Sequence, residues 1–86
     1  MARSQTQDSD EQLRALERKF QESPDSLAFV PLAEALNRAG DHRRAAEVAQ
    51  RGLLAHPDSV AGRLAWAVAE AELDNVKQAL EQIKRA

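Results

Sequence analysis

The chain has 86 residues, and its 12 basic and 14 acidic side chains give a formal net charge of −2. A chain of this length folds as one small domain with a modest core, and its near-balanced charge, with neither sign gathered in a long block, argues against nucleic acid as a partner. The absence of cysteine excludes disulfide bonds and thiolate metal sites.

The kinds of apolar residue favour a helical protein, and the lack of a long apolar segment makes the cytoplasm the expected location. They make up 43% of the chain, but with two Phe, one Trp and no Tyr the interior must be filled by Leu, Val and Ala, which suits closely packed helices. No segment approaches the roughly 18 apolar residues that cross a bilayer, and the chain start lacks the apolar segment of a secretory signal, so we expect no membrane insertion. The alanine- and arginine-rich, lysine-poor composition points to a bacterial source.

The first helix is predicted to follow a polar lead-in. Residues 1–8 show no periodic apolar face and are expected to be disordered. From Ser9 or Asp10, apolar side chains recur at helical spacing until Ser23-Pro24 ends the helix, because proline cannot continue the hydrogen-bond ladder. These apolar side chains are Leu13, Leu16 and Phe20.

Pro31 makes the start of the second helix ambiguous. A start at Ser26, capped by Asp25 or Ser26, places this proline in the second turn, where it should kink the helix; a start at Val30 places it in the favourable first turn. We favour the longer, kinked helix. Gly40-Asp41 ends it, because glycine accepts the left-handed conformation and the aspartate can cap the next helix. The apolar positions are Leu27, Val30, Leu32, Ala33 and Leu36.

The third helix is predicted from His42 to about Ala55, where His56-Pro57 ends it. Small residues on one face would let neighbouring helix axes approach closely. Its expected buried residues are Ala45, Ala46, Val48, Ala49, Gly52 and Leu53.

The fourth and fifth helices are predicted on either side of a turn at Leu73-Asp74-Asn75. The fourth starts after Asp58 or Ser59, and the fifth covers Val76 to Arg85. Since all connections are short, consecutive helices must lie antiparallel and in contact. The apolar positions are Val60, Leu64, Ala67, Val68 and Ala71 on the fourth helix, with Trp66 beside them, and Val76, Ala79, Leu80 and Ile83 on the fifth.

Two short phrases recur along the chain. Pro24-Asp25-Ser26 returns as Pro57-Asp58-Ser59 after 33 residues, and Gly40-Asp41…Ala45 returns as Asp74-Asn75…Ala79 after 34. A period in the low thirties is typical of helical repeat proteins, and it favours a binding scaffold over a catalyst.

Residues 26–59 resemble one tetratricopeptide repeat, a helix-turn-helix unit with small and large residues at fixed places. Residues 60–86 resemble a second, shorter copy, in which Arg63 and Glu70 stand where the family prefers aromatics, and residues 9–23 resemble the second half of a repeat. The resemblance implies that residues 9–86 form about five antiparallel helices, stacked as a short right-handed superhelix, an α-solenoid. The matching positions are Phe29, Leu32, Ala33, Leu36, Gly40-Asp41, Ala45, Ala49, Gly52 and Pro57 in the first copy, and Ala79, Ile83 and Ala86 in the second.

The residues offer little for catalysis. His42 and His56 stand at opposite ends of the third helix, about 20 Å apart by helical rise, which is too far to share a metal. Ser23, Ser26 and Ser59 are explained as helix-start residues, and the chain has no phosphate loop, zinc-protease motif or calcium loop. We therefore expect a protein that is not an enzyme and that uses no cofactor or metal.

The resemblance implies a binding groove, since the first helix of each unit lines a concave face in this family. The expected function is that of a non-catalytic scaffold or adaptor that holds an amphipathic helix or apolar peptide of another protein. The family's clamp for a terminal carboxylate is not expected, because the matching positions hold Val30, Glu34 and Leu64. The alternative is that Leu27, Val30 and Leu64 are simply core residues. The predicted groove consists of Leu27, Val30, Glu34, Asn37 and Arg38 from one unit and Ala61, Leu64, Val68, Ala71 and Glu72 from the next.

A second functional hypothesis is self-association. No polar helix follows the last predicted helix to cover Leu80 and Ile83, whereas repeat arrays normally need a polar outer face at their ends. The chain would then form a homo-oligomer through these residues, or be a piece of a longer array.

Overall fold

The computed structural model describes the backbone of residues 2–85 and the side chains of residues 11–77, 80 and 81. Over this part of the chain it contains four α-helices and no strand, so the all-α class predicted from the sequence is confirmed. α2, α3 and α4 pack against one another, and α1 packs against α2. The helices are α1 (Ala2–Glu22), α2 (Phe29–Arg38), α3 (His42–Ala55) and α4 (Val60–Arg85).

α1 begins earlier than predicted. Its backbone is helical from Ala2, whereas the sequence predicted a disordered lead-in over residues 1–8. The segment contains Ala, Arg and Gln, which are good helix formers, and no Gly or Pro that would stop the helix. Further along α1, Phe20 is buried, and Leu13 and Leu16 pack against the core, as their spacing predicted.

α2 takes the shorter of its two predicted forms, so the kinked helix from Ser26 is wrong. It begins at Phe29, which places Pro31 in the first turn, where the amide that proline lacks would have no partner within the helix. Ala28, just before the helix, provides no side-chain cap; instead, its amide donates a hydrogen bond to Ser26 Oγ at 3.2 Å. Ser26 therefore stabilises a turn that leads into α2.

The turn between α2 and α3 follows the prediction. Gly40 has a φ of +86°, in the left-handed region that favours glycine. Asp41 caps α3, because its Oδ1 accepts a hydrogen bond from the Arg44 amide at 3.3 Å. α3 has the predicted bounds. Its predicted buried residues Ala45, Ala46, Val48, Ala49 and Gly52 are buried, and Leu53 is partly buried.

α4 is one continuous helix of 26 residues, so the predicted turn at Leu73-Asp74-Asn75 and the separate fifth helix are wrong. Asp and Asn each cost less than about 1 kcal/mol in a helix interior. The predicted turn at residues 73–75 contains neither Gly nor Pro, so nothing there forces a break. By helical rise α4 is about 39 Å long, against about 21 Å for α3. The carboxyl-terminal part of α4 therefore extends beyond α3.

The core is centred on Phe29, whose ring lies between two glycines. A side chain added at Gly52 of α3 would overlap the ring, and a Cβ added at Gly62 of α4 would lie 2.6 Å from the ring Cε2. The ring also stacks on the His56 imidazole, with the ring centroids 6.1 Å apart. The two glycines thus allow three helices to meet around one aromatic side chain. The other buried apolar residues are Phe20, Leu32, Ala33, Leu36, Ala45, Ala46, Val48, Ala49, Ala65 and Ala69.

An ion pair joins α1 to α3. Arg44 donates from Nε to Glu17 Oε1 at 3.3 Å and from one Nη to Glu17 Oε2 at 3.1 Å. Hydrogen bonding to Glu17 raises the pKa of Arg44 above its ordinary value. No helical spacing in the sequence marks this pair, because the two residues lie 27 positions apart.

Candidate protein-binding groove

An open cavity of about 250 Å³ lies between α2 and α4. We call it the α2/α4 groove. The structure brings together six of the residues predicted for a groove, and adds Ala65, which the sequence did not predict. The lining residues are Glu34, Asn37 and Arg38 of α2 and Ala61, Leu64, Ala65 and Val68 of α4.

The groove owes its apolar wall to the way α4 packs. The buried face of α4 carries the small residues Gly62, Ala65 and Ala69, which let the helix lie close to its neighbours. The larger Leu64 and Val68 lie on a different face and remain 64% and 42% exposed. The alternative that Leu64 is a core residue is therefore wrong.

The remaining predicted groove residues do not line this cavity. Leu27 is exposed in the turn before α2, and Ala71 and Glu72 are exposed on α4. Val30 is partly buried and packs against the core. The core alternative thus describes Val30 but not Leu27.

Asn37 holds the groove together. Its Nδ2 donates a hydrogen bond to the Ala65 carbonyl oxygen at 3.0 Å, and its Oδ1 accepts one from His42 Nδ1 at 2.9 Å. Both ends of the side-chain amide are therefore used within the chain, tying α2 to α4 and to the start of α3. A partner in the groove would meet a side chain that is already fixed.

Charges of both signs stand beside the apolar wall. Glu34 and Arg38 are exposed on α2, one helical turn apart. One acid and one base leave the groove without a strong field of either sign. Shape and apolar contact, more than charge, would then select what binds there.

A second cavity, which the sequence did not predict, lies where α3 leads into α4. We call it the α3/α4 cavity; its volume is about 460 Å³, and it is lined by Leu53, Pro57, Arg63 and Trp66. Arg63 Nε donates to the Pro57 carbonyl oxygen at 3.0 Å, and Trp66 keeps 37% of its surface exposed. The signal in the sequence was the single tryptophan three residues after an arginine, a spacing that puts both on one side of a helix.

The part of α4 beyond Leu73 carries exposed apolar side chains. We call residues 74–85 the α4 arm. Val76 and Leu80 are 55% and 54% exposed, and the other described side chains of the arm are exposed as well. Leu80 is one of the two residues predicted for self-association; the other, Ile83, lies outside the described side chains.

Both histidines form hydrogen bonds within the chain. His42 bonds to Asn37, and His56 Nε2 donates to the Asp25 carbonyl oxygen at 2.6 Å. Among the described residues, no group of three or more His, Cys, Asp or Glu side chains is arranged to hold a metal ion. In the same part of the chain, no helix combines the length and the apolarity needed to span a membrane.

Comparison with protein-family models, curated proteins and solved structures found no match to this chain. The likeness to tetratricopeptide repeats therefore rests on the residues of this chain alone. Its function is inferred from the two cavities and from the exposed apolar side chains beside them.

Proposed function

We propose that this protein is a non-catalytic interaction module, which binds the apolar face of a helix or peptide from another protein in the α2/α4 groove. The observation that carries the proposal is the exposure of Leu64 and Val68 beside a cavity walled by two packed helices. Covering apolar surface of this kind stabilises a complex by roughly 25 cal/mol per Å² before the costs of association.

The form of the groove suits an elongated apolar segment. Leu64 and Val68 lie one helical turn apart, so a helix placed along the groove would meet them with side chains at its own i and i+4 positions. Glu34 and Arg38 would lie at the polar edge of such a helix. A partner with one apolar stripe and mixed charges beside it fits these features.

The likeness to tetratricopeptide repeats supports the same function. In that family the first helices of successive units line the binding face, and here those helices correspond to α2 and the first half of α4. The proposal therefore includes a short α-solenoid that serves as a scaffold or adaptor in a bacterial cytoplasm. Catalysis, cofactors and nucleic acid have no part in it.

A photo-cross-linking experiment tests the groove. Benzoylphenylalanine replaces Leu64 in one variant and Leu54, an exposed leucine of α3 that lies outside the groove, in the control. In a lysate of the source organism, we expect a partner that is labelled from position 64 and not from position 54. Mass spectrometry should locate the label in an apolar helical or extended segment of that partner.

A binding measurement with a synthetic peptide of the labelled segment completes the test. The double variant Leu64→Glu/Val68→Glu should weaken peptide binding by about tenfold or more, since it places two charges against an apolar stripe. Leu54→Glu should leave binding unchanged, and both variants should keep the helical circular dichroism of the parent. Equal labelling of a partner from positions 64 and 54 would contradict the proposal. So would a peptide affinity that is the same for the double variant as for the parent protein.

A further inference from the structure

The α4 arm and the α3/α4 cavity each leave apolar surface uncovered. Val76 and Leu80 of the arm are more than half exposed, and the cavity leaves Trp66 open to solvent beside Leu53. Because α4 is one continuous helix, Leu80 lies about 21 Å along its axis from Trp66, so the arm extends away from the cavity of its own chain. An unbroken α4 therefore cannot cover one surface with the other within a single molecule.

Three large apolar side chains lie at equal spacing along the face of α4 that carries Trp66. Trp66, Leu73 and Leu80 are separated by seven residues each, so they lie on nearly the same face of the helix. Leu73, the middle one, is partly buried at the edge of the core. Equal spacing on both sides of Leu73 makes the stripe complementary to a second copy of itself that runs in the opposite direction.

We propose that two copies of this chain pair through antiparallel α4 helices, with the two-fold axis at Leu73. In this arrangement Leu80 of each copy lies against Trp66 of the other, and the α4 arm fills the other copy's α3/α4 cavity beside Leu53. The contact is isologous, which is the commonest form of soluble homodimer. It covers the arm, a helical segment of only 12 residues that is marginal in water without packing.

Charge supports this register. On the flank of the same stripe, Glu70 and Lys77 are both exposed and seven residues apart. A two-fold axis at Leu73 brings Glu70 of one copy beside Lys77 of the other, and symmetry makes this pair twice. Within one helix the two residues lie about 10 Å apart along the axis and do not meet. An effect of one on the other therefore reports the dimer.

The oligomeric state of the 86-residue chain tests the pairing. We expect a dimer whose mass of about 19 kDa, twice 9.5 kDa, appears as concentration rises. Emission of the single tryptophan should shift to the blue over the same range. Leu80→Asp should abolish both changes, and Leu54→Asp, which alters an exposed leucine outside the interface, should alter neither.

A charge swap tests the register. Glu70→Lys and Lys77→Glu should each weaken the dimer about tenfold, because each creates like charges at two sites, and the double variant should recover most of the loss. Absence of recovery would overturn the proposed register.

Cross-linking separates pairing from folding back within one chain. The protein has no cysteine of its own, so a mixture of Leu53→Cys and Leu80→Cys chains should form the mixed disulfide in preference to the two symmetric ones. A monomer at all concentrations, a statistical mixture of disulfides, or an intramolecular disulfide in the variant that carries both cysteines would each overturn the proposal.

Discussion

The ring of Phe29 lies against Gly52 so closely that no side chain fits between α2 and α3 at this point. The ring is fully buried, and it meets Gly62 of α4 on its far edge. Protein interiors are close-packed and have few voids, so a buried ring in contact with three helices has no space into which it could be displaced by an added atom. Glycine at position 52 costs the helix about 1 kcal/mol relative to alanine, and this close approach is the reason that it is there.

Gly52→Ala should therefore destabilise the protein by about 2 kcal/mol, because overpacking against Phe29 outweighs the better helix propensity of alanine. Unfolding by urea, followed by circular dichroism, measures the loss. Gln50→Ala, a substitution on the exposed side of the same helix, should change the free energy of unfolding by only a few tenths of a kcal/mol. Phe29→Leu should recover part of the loss when it is combined with Gly52→Ala. A more stable Gly52→Ala variant would show that the ring does move.

The parts of the fold that the sequence predicted correctly are those with local signals. α3 was predicted with its observed bounds, because Gly40 and the Asp41 cap mark its start and His56-Pro57 its end. Each of these signals acts within one helical turn, so it is readable without knowledge of the rest of the chain.

The parts that the sequence did not predict depend on small energy differences or on distant contacts. The turn expected at Leu73-Asp74-Asn75 is helical, because the weak preference of Asp and Asn for turns does not offset the cost of two new helix ends. The buried face of α4 was also hard to predict, because its small residues, such as Ala65, face the core while the larger Leu64 stays outside. Apolar spacing alone assigns the larger side chains to the core.

Asn37→Ala should lower stability by about 1 to 2 kcal/mol, although Asn37 lies in the groove. The substitution removes the bonds to the Ala65 carbonyl and to His42, and a typical hydrogen bond contributes about 1 kcal/mol. The thermal midpoint should fall by about 4–8 °C for each kcal/mol in a domain of this size. His42→Ala removes only one of the two bonds and should cost less than Asn37→Ala. An unchanged midpoint for Asn37→Ala would mean that these bonds add nothing over bonds to water.

Glu17→Arg should destabilise the protein by roughly 1 kcal/mol, because it replaces the bidentate pair with Arg44 by two like charges. Both side chains are partly exposed, which keeps the effect small. Because the pKa of Arg44 is raised in the folded protein, the contribution of its charge to the free energy of unfolding is fully present below the ordinary pKa of arginine. That contribution is lost only in strongly alkaline solution. The titration of Arg44 therefore leaves the contribution constant near neutral pH, and salt should weaken it by screening.

The reversed pair Glu17→Arg/Arg44→Glu serves as the control for this ion pair. It should recover part of the lost stability. Recovery should be incomplete, because Arg44 Nη1 also lies 3.7 Å from Glu47 Oε2, and a glutamate at position 44 would be repelled by Glu47. Thermal melts at low and high salt measure both effects. Equal stability of the single and the reversed variants would show that this ion pair adds nothing and that apolar packing alone holds α1 to the other helices.

Asp74→Gly/Asn75→Asp should convert the continuous α4 into two helices, because it copies the Gly40-Asp41 turn into the position that repeats it. Glycine supplies the left-handed conformation, and aspartate caps the following helix. The α4 arm should then fold back into the α3/α4 cavity of its own chain and cover Trp66. We expect a monomer in light scattering whose tryptophan emission is blue-shifted at every concentration. Asp74→Ala/Asn75→Ala, which keeps good helix formers at both positions, should retain the concentration dependence of the parent chain. A glycine variant that still dimerises, or one whose Trp66 stays exposed, would show that the arm does not fit this cavity.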